Sequence, residues 1–287
     1  MPNLKEIRSR ITSVGSTMQI TSAMKMVSAA KLKRAQDAIT QMRPYSNKLT
    51  DLLQSLSSSL DGSENNQYSD SRVVKKLLIV AITSNRGLCG GFNSYIIKSA
   101  KNIIEKQNNN TDVEILSIGK KSSEHFTKNG YKMFSVHDEV YNELTFENIS
   151  IIAETIINKF LSKEFDRVVL VYNQFKNAAT QIIMNENYLP IDNSAEQKTQ
   201  TADYIFEPNQ NEIVKELIPK SLKTQLFKAV LDSHAAEHGA RMTAMHKATD
   251  NAAELKKELT LTYNKARQAA ITGEILEIVG GAEALNN

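Results

Sequence analysis

Leu77-Leu-Ile-Val-Ala-Ile-Thr83 runs directly into Ser84-Asn-Arg-Gly-Leu-Cys-Gly-Gly-Phe92. This passage from an apolar run to a glycine-rich turn sets the fold of the middle of the chain. The first seven residues are apolar or β-branched and bounded by turn formers, the pattern of a buried strand. After the glycines, 94–106 has helical character. The pattern then predicts strands over 113–118 and 131–136 and helices over 120–128 and 146–161. Two more strands follow, over 167–172 and 181–188. Strands alternating with helices predict an α/β layer around a largely parallel sheet.

Outward from this middle, the chain changes character on both sides. Towards the N-terminus, 61–70 (DGSENNQYSD) is polar and reads as a linker. Before it, 3–60 has no Gly after Gly15 and no Pro between Pro2 and Pro44. Ile7, Ile11, Val14 and Met18, and later Leu49, Leu52, Leu56 and Leu60, recur at steps of three and four, one helical stripe close to a heptad seam. Ala23, Ala29, Ala30, Ala35 and Ala38 are small residues that allow close helix approach, and Arg43-Pro44 marks a place for a kink. Towards the C-terminus, 191–202 is a polar connection, and 212–285 is helical with Pro219 near its start. There Met242, Met245, Thr249 and Ala252, and Leu255, Leu259, Thr262, Ala266 and Ala269, keep a spacing near 3.5.

Neither flank is apolar over enough of its circumference to form a globular core. The expectation is a long antiparallel coiled coil of N- and C-terminal helices with an inserted Rossmann-like α/β domain. The division is 1–60, 61–207 and 208–287. At 1.5 Å per residue the arms would be about 85 and 110 Å long, a rod with a knob at one end and an overhang of ~25 Å.

Composition narrows the function. Aromatics are 6% and Trp is absent, so the core is aliphatic. The formal charge of +3 is too small for a nucleic-acid partner. Charge is concentrated at the start, where 1–48 holds nine bases against two acids, +7, which suits an acidic protein surface. Cys89 is the single cysteine, so no internal disulfide forms and a reducing compartment is indicated. No run of about 18 apolar residues exists, so any membrane link passes through partners.

Three motifs invite chemical readings. The turn after the first strand sits where phosphate loops sit, but it has neither G-x-G-x-x-G nor Gly-Lys-Ser/Thr. Gly87-Leu-Cys89-Gly-Gly91 fits a nucleophile elbow with Cys89 as nucleophile and His125 or His137 as base. A tight structural turn made by Arg86, Gly87, Cys89, Gly90 and Gly91 explains the same residues. His234-Ala-Ala-Glu237-His238 matches the inverted zinc-protease motif. A third ligand is missing, so two surface histidines on a helix are the simpler reading and no metal or cofactor is expected. Met24, Met26, Met242 and Met245 read as packing residues.

The two ends then carry a resemblance. Ile271-Thr272-Gly-Glu274-Ile-Leu-Glu277-Ile-Val-Gly-Gly281-Ala282 resembles the C-terminal signature of the ATP synthase gamma subunit family. Its acids stand two and five residues past the Thr, and Gly-Ala begins at nine. Tyr263-Asn-Lys-Ala-Arg267-Gln268-Ala and Glu237-His-Gly-Ala240-Arg241-Met242 resemble stretches of the same family. So do Lys5-Glu-Ile-Arg8, Ile20-Thr-Ser-Ala-Met24-Lys-Met26, Arg43-Pro-Tyr45 and Asn85-Arg-Gly-Leu-Cys89. Two positions depart: Asn85 stands where the family has Asp, and Ala236 where Ser is common. The extra cysteine pair of the light-regulated chloroplast form is absent.

The resemblance implies a non-catalytic rotor subunit of the central stalk, with no catalytic residue of its own. Its partners would be three alpha and three beta subunits, the epsilon subunit and the c-ring, and it would be peripheral to the membrane on the cytoplasmic face of the bacterial inner membrane. It also implies that Arg267, Gln268, Thr272, Glu274, Met24 and Arg8 contact the alpha/beta ring.

Overall fold

The computed structural model describes residues 3–57, 67–70, 72–107, 111–191 and 210–285. Most of the 61–70 linker, the 192–202 connection, Leu60 and both boundaries of the expected insertion lie outside them. Two long helices bracket the sequence, α1 (Leu4–Ser57) and α5 (Gln210–Leu285). Between them come β1 (Lys76–Ile82), α2 (Phe92–Glu105), β2 (Asp112–Ile118), α3 (Lys120–Lys128) and β3 (Met133–His137). A short 3-10 turn at Glu139–Asn142 precedes α4 (Phe146–Leu161), β4 (Arg167–Phe175) and β5 (Gln181–Leu189). α1 continues through Pro44 and α5 through Pro219. The chain forms two compact units, Ala29–Arg241 and Met1–Ser28 with Met242–Asn287.

The Ala29–Arg241 unit holds the sheet, in the order β3-β2-β1-β4-β5. β1 lies parallel to β2 and β4, and β2 lies parallel to β3. β5 runs antiparallel to β4, which a two-strand hairpin permits. β1 is buried along nearly its whole length and alternates its side chains between two cores. Leu78, Val80 and Ile82 pack with α4 and with Ile218, Leu222, Leu226 and Val230 of α5. Leu77, Ile79 and Ala81 pack with Ile96 and Ala100 of α2 and Phe126 of α3. Burial on both faces is why β1 reads as a continuous apolar run rather than an alternating one. The chain crosses from β3 through α4 to β4 on the other side of β1, so the carboxyl end of β1 is the switch point of the sheet.

In the other unit the two helices run antiparallel. Thr21 Oγ1 lies 2.8 Å from Thr249 Oγ1, Lys25 Nζ lies 3.4 Å from His246 Nδ1, and Gly15 faces the Lys256 side chain. The α1 seam is Ile7, Ile11, Val14, Met18, Thr21, Lys25 and Ser28, alternating four and three, all buried or half-buried. The α5 seam is Met242, Met245, Thr249, Ala252, Lys256, Leu259, Tyr263 and Ala266. This corrects the expected stripe. Leu255, Thr262 and Ala269 are exposed, because a strict heptad from Ala252 passes through Lys256 and Tyr263 instead. Ala23 and Ala30 are also exposed and do not mediate close approach.

Candidate functional site

The turn after β1 is built from its own polar side chains. Ser84 Oγ donates to Arg86 O (2.6 Å), and Asn93 Oδ1 accepts from Ser84 N (3.0 Å). Asn85 donates to Asp138 O (2.7 Å) and accepts from Lys120 N (2.9 Å). It thereby ties the loops after β1, β2 and β3 together, work that an amide does with both of its ends and a carboxylate cannot. Leu88 and Gly90 take left-handed backbone angles, φ 62° and 60°. A side chain at Gly91 would meet the Tyr95 ring, whereas Gly87 faces open space. The closest backbone approach belongs to Gly119 after β2, which the sequence did not single out: φ is 104° and an added Cβ would overlap the Thr83 carbonyl.

α5 closes this turn from the side. Arg241 donates to Arg86 O (3.0 Å) and to Gly87 O (3.3 and 3.4 Å), and pairs with Glu237 at 2.5 Å. Both partners are buried. Burial raises the Glu237 carboxyl, and the Arg241 guanidinium pulls it back. The loop thus presents carbonyl oxygens to a cation, the reverse of the N–H groups a phosphate loop presents to an anion.

The nucleophile-elbow reading fails on the same geometry. Cys89 is 1% exposed, and its sulfur lies 3.2 Å from Asn93 Nδ2 and 3.8 Å from Ser84 Oγ and Arg86 O. Burial pushes the thiol up, the wrong direction for a nucleophile. His125 and the turn residues Gly87–Gly90 line one open depression, while His137 Nε2 lies 3.1 Å from Ser135 Oγ.

The His234–His238 motif is corrected in a different way: its histidines are not exposed on a surface but half-buried and buried. His238 is buried, its Nε2 lies 3.1 Å from His234 Nε2, and the His234 ring stacks on Tyr141. Burial, then nearby cations, lowers His234 to about 4. Burial and then His234 lower His238 to about 3. Two neutral imidazoles therefore share one proton bridge, and Glu237 is already held by Arg241. Among the described residues no cluster of His, Cys, Asp or Glu could hold a metal ion.

The remaining site residues lie in the unit of paired helix ends. Arg8, Arg267, Gln268, Thr272 and Glu274 are exposed, and Met24 is half-buried. The register places Met24 level with about residue 246, so Arg267–Glu274 is a separate group ~30 Å further along α5. The same register brings Leu4 level with about Arg267, so beyond Ala266 no described residue of α1 lies opposite the α5 seam. Beyond it Ile271, Ile275 and Ile278 form one stripe, which Val279 and Leu276 widen to roughly 160°. Ile278 is 70% exposed and Leu276 65%. Glu274 and Glu277 occupy the opposite side by the same 100° step. This is the amphipathic pattern of a buried helix on a helix that is bare.

The sequence pattern of the ATP synthase family matches residues 3–285. The ATP synthase gamma chain of Flavobacterium johnsoniae is 62% identical over 291 residues and spans 100% of both chains. The chain belongs to the ATP synthase gamma chain family. The family's Christiangramia forsetii relative is 60% identical over 286 residues, again covering 100% of both. Among solved structures, a chain of the Euglena gracilis mitochondrial ATP synthase in rotational state 3 (OSCP/F1/c-ring) superposes with a TM-score of 0.69. It is 22% identical and covers 98% of this chain and 94% of its own. A chain of the Tetrahymena thermophila central stalk/c-ring gives 0.61 at 23% identity, covering 80% and 99%. These two establish the fold. No described helix is long and apolar enough to cross a membrane.

Proposed function

We propose that the chain is the rotor of the central stalk of an F-type ATP synthase, turning inside three alpha and three beta subunits. On this reading it couples proton flow to ATP synthesis and hydrolysis and holds no active site of its own. The bare stripe of Ile271, Ile275, Ile278, Val279 and Leu276 carries the proposal. Covering side chains already half to two-thirds exposed is worth ~1 kcal/mol each, enough together to demand a sleeve. The similarity to central-stalk chains supports an alpha/beta ring as that sleeve, with the epsilon subunit and c-ring below.

The mechanism follows from symmetry. One chain has no three-fold axis, so it touches three identical neighbours differently. Differential contact shifts a conformational equilibrium, and moving a subunit from 1:99 to 99:1 takes about 5.5 kcal/mol. Arg267, with its rigid fork of donors, grips a ring loop together with Gln268, Thr272 and Glu274. Arg8 and Met24, in the basic arm, face acidic loops lower in the ring. The segments 1–60 and 208–287 serve as the shaft, and 61–207 as the body that meets epsilon and the c-ring. Through these partners the chain sits at the cytoplasmic face of a bacterial inner membrane.

The test is cysteine protection. An Ile278→Cys chain in a Cys89→Ser background is alkylated free and after co-assembly with alpha, beta and epsilon. Labelling at least tenfold slower in the complex is expected; equal rates would remove the sleeve and the rotor with it.

A further inference from the structure

No described side chain of α1 belongs to the two apolar clusters that clothe the sheet, although its Leu32, Ala35, Ile39 and Leu49 are buried, whereas α5 contributes Ile218, Leu222, Leu226, Ala229 and Val230. A polar contact does reach from α1 to the strands. Arg43 Nη2 donates to Asp232 Oδ1 of α5 (2.7 Å) and to Phe175 O at the carboxyl end of β4 (2.8 Å). Asp232 is 0% exposed, its other oxygen has no hydrogen-bond partner among the described residues, and the Phe175 backbone N–H also acts on the carboxylate. Arg43 is about one-third exposed along its side chain. One guanidinium thus joins α1, α5 and β4 at a single point.

This is an expensive way to obtain stability. A fully buried carboxylate with one oxygen unsatisfied is often no better than a well-packed apolar pair of the same volume. What an apolar pair cannot supply is direction. Apolar contact is non-directional, so two surfaces so joined can slip along each other. Charge-assisted hydrogen bonds of 2.7–2.8 Å fix distance and angle together.

We propose that Arg43 is a positioning residue for energy coupling: with Asp232 and the Phe175 carbonyl it forms a shear-resistant clamp that makes α1, α5 and the sheet turn as one piece. The proposal rests on the rotor reading. Its residues are not those that face the ring, so removing the clamp leaves the ATP-hydrolysing sites untouched. What is lost is the transfer of force to the body of the chain.

The test uses the assembled, membrane-bound complex. ATP hydrolysis and ATP-driven proton pumping are measured together for wild type, Arg43→Met, Arg43→Lys and the double variant Arg43→Met/Asp232→Leu. The double variant restores packing without charge and so separates clamping from folding; it also decides the question if Arg43→Met does not assemble. Expected is a fall of threefold or more in protons pumped per ATP for Arg43→Met and for the double variant, with hydrolysis within twofold of wild type. Arg43→Lys, which keeps the charge and one bond, recovers more than half. A wild-type pumping ratio in the double variant would overturn the clamp and leave Arg43 a packing residue. A wild-type complex that hydrolyses but does not pump would instead refute the rotor reading on which the clamp depends.

Discussion

Replacing Arg241 with Met removes a charge while keeping most of the stem, and it strands Glu237. That carboxylate is 7% exposed and sits opposite the guanidinium at 2.5 Å. Removing one partner of a buried pair costs about 3–5 kcal/mol. The freed carbonyls of Arg86 and Gly87 add little, because both residues are exposed and can take water. Glu237 is already raised by burial, and without Arg241 it rises further. The sign follows: a carboxyl raised in the fold gives stability that is present below its unfolded value and is lost as pH rises through the folded one. The deficit of Arg241→Met therefore shrinks on acidification, by at most about 1.4 kcal/mol per pH unit. Urea denaturation of the purified chain at pH 5, 6, 7 and 8, with wild type beside the variant, measures it. The double variant Glu237→Gln/Arg241→Met should recover most of the loss at pH 7. A deficit independent of pH, with no recovery in the double variant, would refute the buried-pair argument and place the effect in packing alone.

Gly119→Ala should cost about 3–4 kcal/mol. The positive-φ backbone contributes roughly 1–2 kcal/mol, and the loss of two bonds, Thr83 N–H to Ile118 O and the Thr83 hydroxyl to Ser122 Oγ, contributes roughly 1 kcal/mol each. Gly87→Ala, which meets open space, should change stability by less than about 0.5 kcal/mol, and thermal melts of the two compare them directly. Cys89→Ser, at a buried sulfur held by Asn93, Ser84 and the Arg86 carbonyl, should leave ATP hydrolysis by the assembled complex within twofold of wild type. Activity lost from a complex that still assembles would restore Cys89 as a nucleophile.

The sequence by itself determined the elements. α3 and α4 fall where the pattern put them, and β1 was legible because a strand buried on both faces leaves an unbroken apolar run. The heptad of α1 was legible because each step of three or four returns to one side of a helix, whatever that side touches. Which α5 residues complete the seam was not legible. Two overlapping near-heptad patterns run through 252–269, and only the cross-helix register, set by contacts such as Thr21 with Thr249, selects the one through Lys256 and Tyr263.

Tertiary structure alone decided the polar contacts. Arg43 and Asp232 are 189 residues apart, and Arg241 lies 155 from Arg86, so no local spacing relates either pair. It also decided that His238 is buried against a half-buried His234 and that Gly119, rather than the glycines of the conspicuous turn, is where a side chain would overlap backbone. The physical reason is common to all of these. Periodicity records which side of an element is apolar, whereas burial of a charge or a glycine depends on what another part of the chain brings against it.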